Sequence, residues 1–296
     1  MSIHEAVVVT GASSGMGKAF AVRLADAGFA VFAGVRKERD AQALRELASP
    51  RLIPVLLDVT SDRTIADAVR TVRDTVGAAG LAGLVNNAGI AVTGPIELVP
   101  LEELRRQFEV NVFGQVAVTQ AFLPLIRAAR GRIINVGSVG ARFALPFAGA
   151  LNSSKAAFES ISDSLRMELR PWGIHVALVS PGSIRTAAEA KLLADSEATI
   201  ASFTAEGQAR YASSYRAFVR ALLALESHGV GPDVVARTVV HALTARTPRQ
   251  HYRVGPKSRL LPFLFTTLPG TVADVLRLRL FGVYRTFGAV PAGGPG

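Results

Sequence analysis

Seven short apolar runs, spaced so that a helical pattern fits between most of them, constrain this chain more than any other feature. They are AVVVT (6–10), AVFAGV (30–35), LIPVLL (52–57), GLVNN (83–87), RIINVGS (132–138), HVALVS (175–180) and HYRV (251–254). The runs are rich in Val, Ile and Leu and mostly do not alternate with polar residues, which predicts strands buried on both faces. Amphipathic stretches near 16–28, 38–48, 61–79, 100–129, 150–170 and 231–246 are each long enough for a crossover helix. Right-handed crossovers turn such a series into an α/β fold with a doubly wound parallel sheet, of the Rossmann type.

No internal repeat or linker interrupts the series, so the sequence predicts one domain over 1–255, with a C-terminal helical extension and frayed tail over 256–296. Residues 184–228 form an insertion between the sixth and seventh strands. Its content of Ala, Ser and Glu, with Tyr211 and Tyr215, predicts helix, and its place after a strand's carboxyl end suits a lid over a ligand crevice. The extension mixes apolar clusters such as LLPFLF with Arg259, Arg277, Arg279 and Arg285. None of these apolar runs reaches the roughly 20 residues of a membrane span, which predicts packing on the core or on another subunit, with peripheral membrane contact as the alternative.

Composition narrows the function classes. The chain has no cysteine, which excludes disulfides and thiolate metal sites. Its five histidines are scattered without ligand spacing, so no metal site is expected. The net charge of +10 comes largely from arginines spread along the chain, without the basic stripe and stacking aromatics of a nucleic-acid binder. The start MSIHEAVVVTGASSG lacks the pattern of a secretory signal, and the expected location is the cytoplasm.

The first strand runs into TGASSGMGKAF, where Gly11, Gly15 and Gly17 open a helix. Glycines at such a turn let backbone N–H groups approach a phosphate at the positive helix end. The spacing G-x-x-x-G-x-G resembles that of the short-chain dehydrogenase/reductase family, and further family signatures follow in order: Asp58 in LLDVT, NNAG at Asn86 to Gly89, Asn111 in FEVNVFG, Ser138 in INVGSVG, Lys155, and SPGSIRT at Ser180 to Thr186. The resemblance spans about residues 5–190.

That resemblance implies a nicotinamide cofactor held by the turn residues Gly11, Ser13, Ser14, Gly15, Met16 and Gly17. Asp58 and Val59 are implied beside the adenine, Asn87, Ala88 and Gly89 on the cofactor floor, and Pro181, Gly182 and Thr186 near the nicotinamide. The end of the second strand bears on cofactor choice. An acid there would bind ribose hydroxyls and repel a 2′-phosphate, but Val35 takes its place and Arg36 and Lys37 follow. The expectation is NADP(H) over NAD(H).

In this family a tyrosine four residues before the lysine transfers the proton, a serine 13 residues before that tyrosine orients the carbonyl, and an asparagine joins the proton path. Asn111, Ser138 and Lys155 are present, but the tyrosine position holds Leu151. Neither Leu151 nor Asn152 is an acid near neutrality. Several readings stay open: a reductase drawing its proton from water, Ser138, Tyr211 or Tyr215; a catalytically silent NADP(H)-binding protein; a non-redox cyclase, dehydratase or isomerase; or a leucine placed there by design. The expected activity is NADPH-dependent reduction or the reverse oxidation at a carbonyl/alcohol of a hydrophobic small molecule. The resemblance also implies a homodimer or homotetramer.

Overall fold

The computed structural model describes residues 5–47, 49–185 and 189–284, the side chains of residues 189–191 excepted. All seven expected strands form: β1 (Ala6–Val9), β2 (Ala30–Val35), β3 (Leu52–Leu56), β4 (Gly83–Asn86), β5 (Arg132–Val136), β6 (His175–Pro181) and β7 (His251–Val254). They lie in one sheet in the order β3-β2-β1-β4-β5-β6-β7, with every neighbouring pair parallel. The strand order reverses between β1 and β4, where an open α/β sheet forms its ligand crevice.

β1 and β2 are buried at every position, as their unbroken apolar sequences require. The pleat divides their side chains between two layers. Val7, Val9 and Val31 join Phe20 and Leu24 of α1 (Gly15–Asp26) and Val235 and Val239 of α9 (Pro232–Thr244). Val8 and Phe32 face the other way, onto Ile65 and Val72 of α3 (Asp62–Val76) and Phe122 and Ile126 of α5 (Gly114–Ala129). The short α2 (Glu38–Arg45) closes the edge beside β3.

The stretch expected as one helix over 100–129 is interrupted. α4 (Leu101–Phe108) passes through a π-helical turn, Glu109–Phe113, into α5. By length and composition this run is apolar enough to cross a membrane, but Val118, Phe122 and Ile126 are committed to the core beneath the sheet.

After α6 (Gly149–Leu169) and β6, the insertion forms two helices, α7 (Glu189–Ala201) and α8 (Ala205–Ser227). Phe203, Tyr215 and Phe218 pack with Phe147 and Phe281 in a separate apolar cluster. In the extension, α10 (Leu260–Thr267) and α11 (Gly270–Leu280) pack on the segment following β5 through Phe265 and Phe143, whose ring centroids are 5.1 Å apart.

Candidate active site

The turn after β1 is pressed against the segment after β4. A Cβ on Gly17 would lie 2.1 Å from the Gly11 carbonyl oxygen and 2.5 Å from Asn87 Nδ2, and one on Gly11 would lie 2.8 Å from Ala88 Cα. Thr10 fastens the two segments: its Oγ1 accepts from the backbone N–H groups of Asn87 and Ala88, both at 2.9 Å. Asn87 Nδ2 donates back to the Thr10 carbonyl at 3.0 Å. Ser14 caps α1 in an extended conformation without a side-chain bond to the helix, leaving its hydroxyl available beside the first-turn amides.

A cleft of about 700 Å³ opens from this turn across the carboxyl ends of β1, β2 and β4. Of the residues singled out in the sequence, Gly11, Ser13, Ser14, Met16, Gly17, Arg36, Asp58, Val59, Asn87, Ala88 and Gly89 line it. Gly15 shapes the turn at φ +53° rather than the wall, and Lys37, an exposed residue capping α2, does not line the cleft. Arg36 and Lys37 differ in this respect, since successive residues leaving a strand point in opposite directions. Asp58 Oδ1 accepts from Thr60 N at 3.0 Å and Thr60 Oγ1 at 2.8 Å, fixing the loop after β3.

The opposite wall, made by Arg105, Arg106, Glu109 and Val110, was missed by sequence reasoning. Arg106 is held by both oxygens of Glu103, whereas the Arg105 guanidinium makes no hydrogen bond among the described residues. A glycine cradle that any Cβ would fill, open helix-end amides and a cation at the end of β2 fit a nicotinamide dinucleotide.

The cleft stops short of Ser138, which follows the carboxyl end of the neighbouring strand β5, and of Leu151 and Lys155 on α6. Ser138 Oγ accepts from Gly140 N at 3.1 Å and starts a short turn, Val139–Arg142. Lys155 Nζ donates to the Val136 carbonyl at 2.9 Å. Burial pushes its ammonium down to about 8, with the Glu159 carboxylate acting in the opposite direction.

Asn111 sits in the π-helical turn. Its Oδ1 accepts from Ile90 N at 2.9 Å while its Nδ2 donates to the Ile90 carbonyl at 3.0 Å and to Ser154 Oγ at 3.3 Å. Gln107 bonds the same carbonyl and the same hydroxyl, and Ser154 Oγ donates to the Leu151 carbonyl at 2.8 Å. These amides lock the chain after β4 against Ser154 of α6.

The lid tyrosines are engaged elsewhere. Tyr215 is buried, its hydroxyl 2.7 Å from Thr93 Oγ1 and its ring 5.5 Å from that of Phe147, and burial pushes its phenol up. Tyr211 donates to Glu97, a bond that likewise raises its phenol. Phe147 holds a left-handed φ of 64°, a conformation that costs a bulky residue about 1–3 kcal/mol. Its carbonyl accepts from Gly94 N at 2.7 Å.

A second cavity, of about 520 Å³, lies between the 91–103 segment and α7 and α8, with walls including Val92, Leu98, Leu192 and Phe203. It shares Arg106 with the cofactor-sized cleft. Pro181 is buried at the end of β6, and Gly182 N donates to the Val254 carbonyl at 2.8 Å. Thr186 lies outside the described residues.

Comparison with known proteins agrees with this architecture. The short chain dehydrogenase family matches residues 5–197. Retinol dehydrogenase 5 of Mus musculus is 36% identical over 276 residues, covering 91% of this chain and 86% of that protein. The NADPH-dependent 3-dehydrocapnine reductase of Ornithobacterium rhinotracheale is 35% identical over 272 residues, covering 90% and 94%. Among solved structures, a short-chain dehydrogenase from Streptomyces avermitilis superposes with a TM-score of 0.73 at 27% identity, covering 93% of this chain and 96% of that one. A short chain dehydrogenase from Burkholderia cenocepacia J2315 in complex with NADP gives 0.69 at 27% identity, covering 94% and 99%. A glycine-lined crevice at the strand-order reversal thus lies within the matched residues, and the chain belongs to the short-chain dehydrogenase family.

Proposed function

We propose that this protein is an NADP(H)-dependent oxidoreductase acting on the carbonyl or alcohol of a hydrophobic small molecule, slowed by the absence of a proton-transferring side chain at position 151. The observation that carries the cofactor assignment is Arg36 in the cleft wall beside Val35, with no carboxylate at the end of β2. A guanidinium there pairs with a 2′-phosphate, whereas an acid would repel it. The name of the NADPH-dependent relative and the NADP in the Burkholderia structure support the same choice.

The bound nicotinamide supplies or accepts hydride. Gly11 and Gly17 admit the phosphates to the turn, Arg36 takes the additional phosphate, and Lys155 holds the ribose from the floor of the site. Ser138 orients the substrate oxygen. Leu151 offers no proton, so protonation falls to solvent, and the loss of a general acid costs about 10²–10⁴-fold in rate. The leucine and the second cavity's Val92, Leu98 and Phe203 favour an apolar substrate body. Retinol in the name of one relative is consistent with that class.

A second reading, cofactor binding without turnover, is favoured by the engagement of Tyr211 and Tyr215 away from Ser138. One experiment separates the two. The protein is titrated with NADPH and NADH, then NADPH oxidation is followed with aliphatic, steroidal and quinone-type carbonyls. Binding of NADPH about tenfold tighter or more, with slow oxidation on an apolar carbonyl, is the expected outcome. Equal affinity for the two cofactors overturns the NADP(H) assignment, and tight binding with no oxidation on any carbonyl selects the second reading.

A further inference from the structure

Glu159 is the only charged side chain in the buried set among the described residues, at 4% exposure. A buried carboxylate is destabilising unless its oxygens are satisfied, and here each oxygen is taken up by a different part of the site. Arg142 Nε donates to Oε2 at 2.9 Å, and Ser180 Oγ donates to Oε1 at 3.0 Å. Oε1 also lies under Gly137, where an added Cβ would stand 2.8 Å from it.

Each partner belongs to a segment that carries a site residue. Gly137 and Arg142 bracket the turn that begins at Ser138, Ser180 immediately precedes Pro181, and Glu159 itself is one helical turn beyond Lys155 on α6. We propose that Glu159 is a positioning residue of the site, clamping the Ser138 turn and the end of β6 onto α6 and standing as the counter-charge to Lys155. It touches neither substrate nor cofactor and acts through the residues it holds.

The electrostatics agree in direction. Burial drives the Lys155 ammonium toward its neutral form, and the Glu159 charge restrains it. β5 presents the Val136 carbonyl to Lys155, Glu159 is the charged group that acts on it among the described residues, Arg142 reaches only Glu159, and the amides of Asn111 and Gln107 bond the preceding residue, Ser154. A lysine kept charged in this position is what the ribose-holding role requires, so the inference rests on the reading of Ser138 and Lys155 given above.

A purely structural brace and a counter-charge predict opposite effects on Lys155. Loosening admits water and raises the proton affinity of a buried lysine, whereas loss of the counter-charge lowers it. The test is a titration of the Lys155 ¹³Cε resonance, assigned by its loss in Lys155→Arg, in the cofactor-free protein. Glu159→Gln is expected to lower the proton affinity of Lys155 about tenfold, while Ser180→Ala, which keeps the charge, leaves it within about twofold. An unchanged or raised affinity in Glu159→Gln overturns the proposal.

If Glu159→Gln fails to fold, the half-exposed partner serves instead. Arg142→Gln is expected to speed amide exchange about tenfold or more across 137–142 without changing β1 and β4. Unchanged exchange there overturns the proposal. Neither measurement involves NADPH, so failure of the cofactor assignment registers separately, as equal affinity of the parent protein for NADPH and NADH or as absent binding.

Discussion

The cofactor end and the chemical end of this site are built on different principles. Around the turn after β1, the fit is made largely by close backbone approach: Gly11 and Gly17 leave no room for a Cβ, and the side chains of Thr10 and Asn87 stitch the two segments by bonds to main chain. Around α6, the proposed chemistry depends on individual side chains: on that reading Leu151 supplies no proton, while Lys155 bonds the Val136 carbonyl and Ser138 opens its turn. If the proposed function holds, binding is protected by geometry whereas turnover hangs on one residue, so the two are separable by mutation.

Restoring the missing side chain tests that asymmetry most strongly. Leu151→Tyr is expected to raise carbonyl reduction about 10²–10⁴-fold, with NADPH affinity changed less than about twofold. Initial rates and a binding titration check both halves, and a large change in affinity would break the separation. Gly17→Ala probes the opposite end. Its Cβ would collide with the Gly11 backbone, so NADPH affinity is expected to fall about 100-fold and stability by about 1–3 kcal/mol, read by titration and denaturant melts.

Arg36→Ala should cost about tenfold in NADPH affinity and leave NADH affinity nearly unchanged, because only one of the two carries the phosphate that the guanidinium pairs with. A smaller and subtler effect belongs to Lys155→Met. The folded-state ammonium is lowered to about 8 from 10.5, so the folded protein releases this proton before the unfolded chain does. Stability from this group therefore rises with pH between those values and is least below about 8. Lys155→Met should be more stable than the parent at pH 7, by about 1–2 kcal/mol, with the difference shrinking by pH 10. Urea melts at the two pH values decide it, and a variant less stable at pH 7 would show that the Nζ bond to Val136 outweighs desolvation.

The same contrast explains what was legible in the sequence. The strands could be read because residues such as Val7, Val8 and Val9 are buried on both faces of the sheet and leave an unbroken apolar run. The glycine turn and Leu151 were legible because their spacing is local. The π-helical turn at 109–113 was not, since apolar periodicity continues through it and its Asn111 amide is recruited by Ile90, 21 residues away in the chain. Arg105 and Arg106 were missed because their place on the cleft depends on how α4 leans across the strand ends. Glu159 carried a usable signal, its four-residue offset from Lys155, but its partners Arg142 and Ser180 become visible only in three dimensions.

The packing of the C-terminal helices also has a consequence for how the chain comes into being. The segment after β5 that carries Ser138 rests on Phe265 through Phe143, and Thr93 meets Tyr215 across 122 residues. The strands and turns that make the cofactor cleft, by contrast, are drawn from the first third of the chain. During synthesis the crevice strands emerge first, but α1 and β1 rest on α9 through Phe20, Leu24, Val235 and Val239, so both ends of the site wait for the last quarter of the chain. A product stalled before α9 would leave that face of α1 uncovered and Phe143 and Phe147 without the helices that cover them.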